Sequence, residues 1–395
     1  MDIKNLAAEA KDYVIELRRE FHMYPEKSGE EIRTSRRVKE ELDKMGIPNI
    51  NAGETGVIAT IKGEKPGKTV ALRADMDALE VSEKNDKPYK SKNEGLMHAC
   101  GHDGHTAMLL GVAKILSDIK CELPGTVKLI FQPAEEVAQG ALRMIDDGAM
   151  DGVDNIFGMH LWSGLPTGKV SVEAGPRMAA VDVFDITVRG KGGHGSAPHE
   201  GVDAVVVASN IVMALQTIVS REFTPLEPLV VTVGKLVAGT RFNVLASEAK
   251  LEGTNRYFNP KFKDVLPQAI ERIAKQVAVG YRAEAYVNYK FATSPVINDP
   301  ESSSLAAKAA EKIVGRDGLV KYEKVMGGED FAEYLKLAPG AFAFIGIGNE
   351  EKGTTYPHHN PNFDLDEDAM EIGVALYVQY ALDYLNGTKE GEKNA

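Results

Sequence analysis

The chain has 395 residues, of which 46 are Lys or Arg and 58 are Asp or Glu, so its formal net charge is −12. With 43% hydrophobic and 26% charged residues, the composition is that of a globular protein and excludes extended disorder. The acidic excess disfavours nucleic acid and anionic membranes as partners, because both repel a negatively charged protein. The length predicts two or three domains.

The two cysteines and the N-terminal segment favour a cytoplasmic protein. Cys100 and Cys121 allow at most one disulfide, which is not a disulfide framework. The N-terminal segment mixes acidic and basic residues and lacks the apolar run of a signal peptide. No stretch of about 18 consecutive apolar residues occurs. We therefore expect a cytoplasmic location and reduced cysteines that can act as ligands or nucleophiles.

The first part of the chain alternates helix-like and strand-like segments, which is typical of an α/β fold. Apolar residues at helical spacing after residue 103 predict a helix there, with Asp103 as its candidate N-cap. The segments in chain order are helices over 4–22 and 30–45, strands over 57–63 and 69–76, a helix over 103–119, and strands over 126–132 and 155–160.

The pattern changes near residue 181. Between 181 and 292 the predicted order is β-α-β-β-α-β, the signature of a ferredoxin-like α+β domain. Segments of the first type flank it, so we predict an inserted domain over 181–292 between two parts of one larger domain, 1–180 and 293–395. The last predicted helix ends at Asn386-Gly387, and we expect residues 388–395 to be a frayed tail.

Three histidines and one cysteine occur together just before the predicted third helix. His98, Cys100, His102 and His105 lie within eight residues, and a thiolate and an imidazole two residues apart can face one ion. A buried cysteine beside helix-capping histidines is the simpler alternative for an isolated Cys-x-His. The density of ligand types favours a metal site.

Further candidate ligands follow the ends of predicted strands. Glu135 and Glu136 come directly after the buried strand 126–132, where ligands gather in open α/β sheets. Such a pair is either solvated surface or a metal ligand beside a general base. His160 ends the next predicted strand, and a core histidine is its alternative interpretation. His358 and His359 lie in a loop bounded by prolines.

Motifs along almost the whole chain resemble those of one amidohydrolase family. The family contains hippurate hydrolases, indole-acetyl-amino-acid hydrolases, N-acetyl-diaminopimelate deacetylases and microbial aminoacylase/carboxypeptidases. Of the motifs, MHACGHDGH and FQPAEE together are the most specific. In chain order they are HMYPE at 22–26, RADMDAL at 73–79, MHACGHDGH at 97–105, FQPAEE at 131–136, GMH at 158–160, GKGGHGSAPH at 190–199, GTNR at 253–256, GGEDF at 327–331 and HHNPNF at 358–363.

The resemblance implies an α/β protein in which a mixed-sheet, metallopeptidase-type catalytic domain carries an inserted ferredoxin-like α+β lid and dimerisation domain. It also implies a dinuclear metal site and Glu135 as general acid/base. In the lid, His194 would stabilise the oxyanion, while Asn243 and Arg256 would bind substrate. The metal ligands that it implies are Cys100, His102, Glu136, His160 and His359.

Two positions near the site depart from the family pattern. Glu80 follows RADMDAL where Pro is common, and Val137-Ala138-Gln139 follows PAEE where Gly-rich sequence is usual. Both put the substrate preference in doubt rather than the metal chemistry. Asp75 and Asp77 either orient the histidine ligands or form a turn at a strand end.

The predicted reaction is hydrolysis of the amide bond of an N-acyl amino acid by metal-activated hydroxide. Carboxypeptidase action on short peptides and N-acetyl-diaminopimelate deacetylation are enzymatic alternatives, and a catalytically silent metal-binding protein is another. Thiolate and imidazole ligands favour zinc, while manganese or cobalt is also tolerated. The helix over 201–220 is apolar on nearly every face, so we expect a homodimer through the lid.

Overall fold

The computed structural model describes residues 1–387, so the expected tail at 388–395 lies outside the described residues. Within 1–387 there are eight α-helices: α1 Ile3–Met23, α2 Ile32–Lys44, α3 His102–Asp118, α4 Gly140–Asp146, α5 Ala204–Thr217, α6 Phe262–Gly280, α7 Pro300–Val314 and α8 Asp368–Asn386. A short π-helical segment, Ile218–Glu222, continues α5.

Fifteen strands occur in the same residues. They are β1 Asn49–Ala52, β2 Gly56–Lys62, β3 Lys65–Asp75, β4 Pro124–Gln132, β5 Asn155–Pro166, β6 Val170–Ser171, β7 Gly175–Met178, β8 Ala180–Arg189, β9 Gly193–His194, β10 Leu229–Ala238, β11 Val244–Leu245, β12 Glu248–Tyr257, β13 Glu284–Thr293, β14 Val296–Asn298 and β15 Gly340–Gly348.

The chain divides into two compact units. Unit 1 comprises Met1–Arg177, Ile297–Glu323 and the chain from Asp330 onward, whereas unit 2 comprises Met178–Val296 and Lys324–Glu329. The inserted domain expected over 181–292 lies within unit 2. The short return of the chain at Lys324–Glu329 has no counterpart in the sequence-based prediction.

Unit 1 is built on a seven-stranded mixed sheet with the strand order β1-β2-β4-β3-β5-β15-β6. The four central strands, β4, β3, β5 and β15, are parallel, and the flanking strands pair antiparallel. The carboxyl ends of parallel strands meet at one edge of such a sheet, where ligands bind in open α/β folds. The α/β fold class and the mixed sheet predicted from the sequence are confirmed.

Helix α3 lies in the centre of unit 1, and almost all of its residues are buried. Glycines allow its neighbours to approach closely. A Cβ on Gly111 would lie 2.6 Å from Val14 of α1, and a Cβ on Gly373 of α8 would lie 2.2 Å from the Met108 sulfur. The close packing of α1 and α8 against the middle of α3 therefore holds this helix in place.

The predicted role of Asp103 as the N-cap of α3 is wrong. Gly101 occupies the cap position with φ 89°, and the helix begins at His102, so Asp103 lies in the first turn. Its carboxylate instead accepts from the Arg18 Nε at 2.8 Å and is 2.7 Å from the His22 Nδ1. Arg18 and His22 hold the pKa of Asp103 well below its usual range, despite the opposing effect of burial.

Unit 2 is a ferredoxin-like domain. Its antiparallel sheet has the order β10-β12-β8-β13, and α5 and α6 share one core with it. Asp203 caps α5, because its side chain accepts from the Val205 N–H. In residues 1–387, the stretch Ala204–Glu222 is the one helix long and apolar enough to cross a membrane by length and composition. Part of it packs in the core of unit 2 through Val207, Ile211 and Leu215.

Replacement of Arg18 by methionine should strongly destabilise unit 1. Arg18 is fully buried and pairs with Asp103 at 2.8 Å and Asp364 at 2.9 Å, so Arg18→Met removes the guanidinium from two buried carboxylates. We expect the free energy of unfolding to fall by about 3–5 kcal/mol, measured by urea denaturation followed by circular dichroism.

Arg19→Met is the matched control. The Arg19 side chain is 45% exposed and pairs with Glu367, so its loss should cost at most about 1 kcal/mol. Equal shifts of the urea midpoint in the two variants would contradict the importance of the buried ion pairs.

Candidate metal centre and active site

The candidate site lies at the carboxyl edge of the sheet of unit 1. Glu135 and Glu136 follow β4, which ends at Gln132, and Asp75 and Asp77 lie at the end of β3. The other predicted ligands come from the segment that enters α3, from β5, and from the loop that precedes α8. Five elements distant in sequence thus contribute to one place.

Left-handed backbone conformations shape three of these segments. Gly101 lies between Cys100 and His102 with φ 89°, while Ala134 and His359 have φ values of 54° and 64°. Such values are disfavoured for residues with a Cβ, and they persist at functional sites when surrounding contacts enforce them. The His359 N–H donates to the Ala99 carbonyl at 2.8 Å, which ties the His359 loop to the Cys100 segment.

The structure brings all five predicted ligands and Glu135 together. The Cys100 Sγ is 3.5 Å from the His160 Nε2, and the His359 Nε2 is 3.4 Å from the Glu136 Oε1. Three groups have potential ligand atoms that all lie within 4.8 Å of one another: Cys100, His102 and His160; Cys100, Glu136 and His359; and His102, Glu135 and Glu136. Because these groups share members, they form one continuous cluster.

Hydrogen bonds turn the Nε2 atoms of two histidines toward the cluster. The His102 Nδ1 is 3.0 Å from the carbonyl oxygen and 3.3 Å from the Oδ1 of Asp77, and the His160 Nδ1 is 2.8 Å from the Leu161 carbonyl. In both rings, Nδ1 is therefore the donor, and Nε2 is the nitrogen that faces the cluster and can bind a metal ion. Such contacts orient the histidines of metal sites.

Two of the cluster atoms fit a metal ion because they are buried without a hydrogen-bond partner among residues 1–387. They are the His102 Nε2 and the Glu136 Oε1. Buried polar atoms are almost always paired, so such orphans indicate a missing water or ion. The donor set of one thiolate, three imidazoles and a carboxylate is one that zinc and other transition metals bind.

The two aspartates of RADMDAL have different contacts. Asp77 contacts the predicted ligand His102, and its Oδ2 also accepts from the Ser28 hydroxyl at 2.6 Å and from the Glu136 N–H at 3.0 Å. Asp75 accepts from the His105 Nδ1 at 2.6 Å and from Arg73 at 2.6 Å. Both aspartates thus bind polar groups and do more than form a turn.

Three other histidines of the quoted motifs, His98, His105 and His358, lie outside the predicted ligand set. The His105 Nε2 accepts from the Leu161 N–H at 2.9 Å, so both of its ring nitrogens are engaged. The His358 Nε2 donates to the Leu161 carbonyl at 2.9 Å, and the ring packs on Trp162 at 4.6 Å. Burial lowers the pKa of His98 to about 4, so this ring is neutral.

Charges in the protein alone favour protons or cations in the cluster. Burial, together with Glu136 and Glu135, raises the pKa of the Cys100 thiol well above its usual value. Burial disfavours a charged His102, but Asp75, Asp77 and Glu136 outweigh it and raise the pKa of His102 to about 10. A divalent cation supplies the positive charge that this acidic environment lacks.

The predicted lid residues lie in unit 2. His194 is on β9 and pairs with Val244, and the Gly195 N–H donates to the Asn243 carbonyl at 2.9 Å, so His194 and Asn243 are neighbours. The His194 Nδ1 accepts from the Ser196 N–H at 3.1 Å, which leaves Nε2–H as a donor. Arg256 lies on another strand, β12, where its guanidinium donates to the Asn255 carbonyl at 2.9 Å.

Contacts of Ser28, Glu31 and Leu161 with the site were not predicted from the sequence. Ser28 and Glu31 follow the HMYPE motif within a few residues, which was a signal that this segment belongs to the site. Leu161 makes these contacts through its backbone N–H and carbonyl, so its side chain gives no sign of them.

Removal of the Asp77 carboxylate charge should weaken metal binding. Asp77→Asn loses the charged acceptor that orients His102 and contacts the Glu136 N–H, and changes of this kind typically cost 10–100-fold in metal affinity. Competition with a chromophoric chelator measures the dissociation constant for zinc. The exposed Asp86→Asn is the control, and equal affinities in the two variants would contradict the orienting role.

Comparisons with known proteins agree with this geometry. Residues 71–383 match the sequence profile of peptidase family M20/M25/M40. Thermostable carboxypeptidase 1 of Saccharolobus solfataricus is 40% identical over 390 residues, covering 97% of this chain and 98% of the relative. The N-acyl-L-amino acid amidohydrolase of Geobacillus stearothermophilus is 44% identical over 317 residues, covering 79% and 86%.

A solved structure extends the match to the whole fold. The Bacillus subtilis YXEP protein, described as a dinuclear metal-binding peptidase from the M20 family, has a TM-score of 0.83 and 36% identity, covering 96% of this chain and all of that one. The resemblance predicted from the sequence is confirmed. The chain belongs to peptidase family M20/M25/M40, a family of hydrolytic enzymes.

Proposed function

We propose that this protein hydrolyses the amide bond of N-acyl amino acids, releasing a carboxylic acid and a free amino acid. One observation carries the proposal: five possible metal ligands lie together with Glu135 beside them, and two of the five have a buried atom without a hydrogen-bond partner among residues 1–387. The five are Cys100, His102, Glu136, His160 and His359. The N-acyl-L-amino acid amidohydrolase relative supports the substrate class.

The cofactor that we propose is a pair of divalent ions, zinc or manganese, with cobalt as a further possibility. The described dinuclear metal binding of the YXEP protein and the five converging side chains support two ions. When bound, such ions polarise the substrate carbonyl and lower the pKa of water to about 7. Metal analysis of protein purified without added metal tests this, and less than about one ion per chain would argue against it.

Glu135 is the proposed general acid/base. Its carboxylate belongs to the same cluster as His102 and Glu136, within reach of a water that attacks a substrate held there. Glu135 would take the proton of that water as it attacks the carbonyl and then donate the proton to the leaving amine nitrogen. Proton transfer by a positioned group typically contributes about 10²–10⁴ to the rate.

Three residues of unit 2 are proposed to act on the substrate. His194 presents Nε2–H as a donor, which suits stabilisation of the developing oxyanion. The buried Asn243 Oδ1 has no hydrogen-bond partner among residues 1–387, so it is free to accept from substrate. Arg256 carries a fork of donors that matches a substrate carboxylate.

A second candidate function is carboxypeptidase action on short peptides. The chemistry is the same, and only the acyl group differs. The 40% identity to thermostable carboxypeptidase 1 favours this alternative. N-acetyl-diaminopimelate deacetylation remains an alternative of the same kind. A catalytically silent protein would have no physical need of Glu135 beside a complete ligand set.

The function is tested with a substrate panel and a Glu135→Gln variant. Hippurate, N-acetyl-methionine and a dipeptide are incubated with zinc or manganese, and the released amine is quantified. We expect the parent to cleave at least one N-acyl amino acid, and Glu135→Gln to lower kcat by about 10²–10⁴ because its amide transfers no proton.

The exposed Glu122→Gln is the control and should retain the parent rate. Metal content should be equal in all three proteins, so that loss of the ions does not account for loss of activity. No amine from any substrate would contradict the proposed function, whereas full activity of Glu135→Gln would contradict only its mechanism.

We further propose a cytoplasmic homodimer formed through unit 2. Helix α5 exposes Val205, Val206 and Met213, with Met213 71% exposed, and β10 is an edge strand with Val237 56% exposed. An exposed apolar helix face beside an unpaired strand edge is covered when two copies pair. The contact would be isologous, as in most homodimers.

Acidic residues on the exposed face of α5 should break the dimer. Light scattering of the parent at micromolar concentration should give twice the 42.8 kDa mass of one chain. Met213→Glu combined with Val206→Glu should give the single-chain mass, because burial of unpaired charges is costly. Val265→Glu, on an exposed part of α6, should leave the dimer intact. A monomeric parent would contradict the proposal.

A further inference from the structure

Glu31 is a buried acid that the proposed mechanism does not use. It lies directly before α2, has no exposed surface, and accepts three hydrogen bonds. Its Oε1 accepts from the Gly29 N–H at 2.9 Å and the Ala134 N–H at 2.9 Å, and its Oε2 accepts from the Thr55 hydroxyl. A buried carboxylate is costly unless its oxygens are paired, and here both are.

The contact with the Ala134 N–H joins Glu31 to the loop that carries Glu135. Ala134 immediately precedes Glu135, is fully buried, and has a left-handed φ of 54°. Its carbonyl accepts from the Gly140 N–H at 3.1 Å, while its N–H donates to Glu31. Residues with a Cβ rarely adopt this conformation, so hydrogen bonds on both sides of the residue are what maintain it.

The backbone of Ala134 determines where Glu135 points. A rotation about its φ would swing the following peptide and the Glu135 carboxylate away from the cluster. The peptide on the other side of Glu135 is fixed separately, because the Glu136 N–H donates to the Asp77 Oδ2 at 3.0 Å. Two carboxylates therefore hold the chain on either side of Glu135, and Glu31 is the one on the upstream side.

We propose that Glu31 is a positioning residue that holds Glu135 in its working orientation through the Ala134 N–H. Glu31 acts through the backbone and contacts neither substrate nor metal. The inference rests on the proposed function in so far as Glu135 is the group that transfers the proton. Misplacement of a reacting group by about 1 Å can cost about 10²-fold in rate.

The test compares Glu31→Ala with Glu31→Gln. Glu31→Ala leaves the buried Ala134 N–H without its acceptor, and kcat should fall about 10–100-fold while KM changes less than about threefold. Glu31→Gln keeps an oxygen that accepts from both Gly29 and Ala134, and the Thr55 hydroxyl can accept from the new amide. It should therefore retain kcat within about threefold. Metal content should equal that of the parent in both variants.

Two controls separate positioning from stability. Glu30→Ala removes the neighbouring exposed carboxylate and should leave kcat unchanged. Val38→Ala shortens a fully buried side chain of α2 that belongs to the core of unit 1, so it lowers the urea midpoint without touching Ala134. Folded Val38→Ala should keep the kcat of the parent.

Amide hydrogen exchange of the peptide 131–141 gives a readout that does not depend on catalysis. Measured in the Glu135→Gln background, exchange should be faster with Glu31→Ala and return to the parent rate with Glu31→Gln. An active Glu135→Gln enzyme would overturn the assigned base, but the exchange result would still test the Glu31 contact. Unchanged exchange, an unchanged kcat in Glu31→Ala, or a Gln variant as impaired as Ala would overturn the proposal.

Discussion

The backbone N–H and carbonyl of Leu161 contact three histidines of the candidate site. Its N–H donates to the His105 Nε2 at 2.9 Å, and its carbonyl accepts from the His160 Nδ1 at 2.8 Å and the His358 Nε2 at 2.9 Å. Each contact determines which ring nitrogen carries the proton. The His160 Nε2 is thereby directed to the cluster, whereas the His358 Nε2 is bound to the Leu161 carbonyl, although His358 adjoins the predicted ligand His359.

The Leu161 N–H also joins the site to a buried polar network that begins at His105. Since the His105 Nε2 accepts from Leu161, its Nδ1 must donate, and it does so to Asp75 at 2.6 Å. Arg73 holds Asp75 at 2.6 Å and also donates to Gln132 and Asp330 at 2.8 and 3.0 Å. A fully satisfied buried network of this kind is rigid, because any displacement leaves a desolvated polar group unpaired. Of the predicted ligands, His160 is joined to this network through the backbone of Leu161, which orients its ring.

The sequence indicated which side chains come together in the candidate site, but it indicated few of the contacts around them. Cys100, His102 and Glu136 could be recognised because ligand types of one kind of site recur at short spacing and after strand ends. The N-cap assignment of Asp103 was wrong because nothing in the local sequence shows that the cap is Gly101. Nor does it show that Arg18, 85 positions away, donates to the Asp103 carboxylate. The contacts of Leu161 are made by the backbone, which any residue offers. The left-handed conformations of Ala134 and His359 could not be predicted, because neither position is a glycine, the residue that usually marks such a conformation.

The net charge of the chain and the charge of the metal-loaded site would have opposite effects on an anionic substrate. A protein with a net charge of −12 offers a carboxylate no long-range attraction, and at physiological ionic strength surface charges are screened beyond about 8 Å. The cluster itself is acidic, and burial together with Glu136 and Glu135 raises the pKa of the Cys100 thiol. In the proposed mechanism, two divalent ions would bring four positive charges against the three negative charges of the Cys100 thiolate, Glu136 and Glu135. Bound ions would therefore reverse the sign of the local charge, and they would attract an anionic substrate as well as activate water.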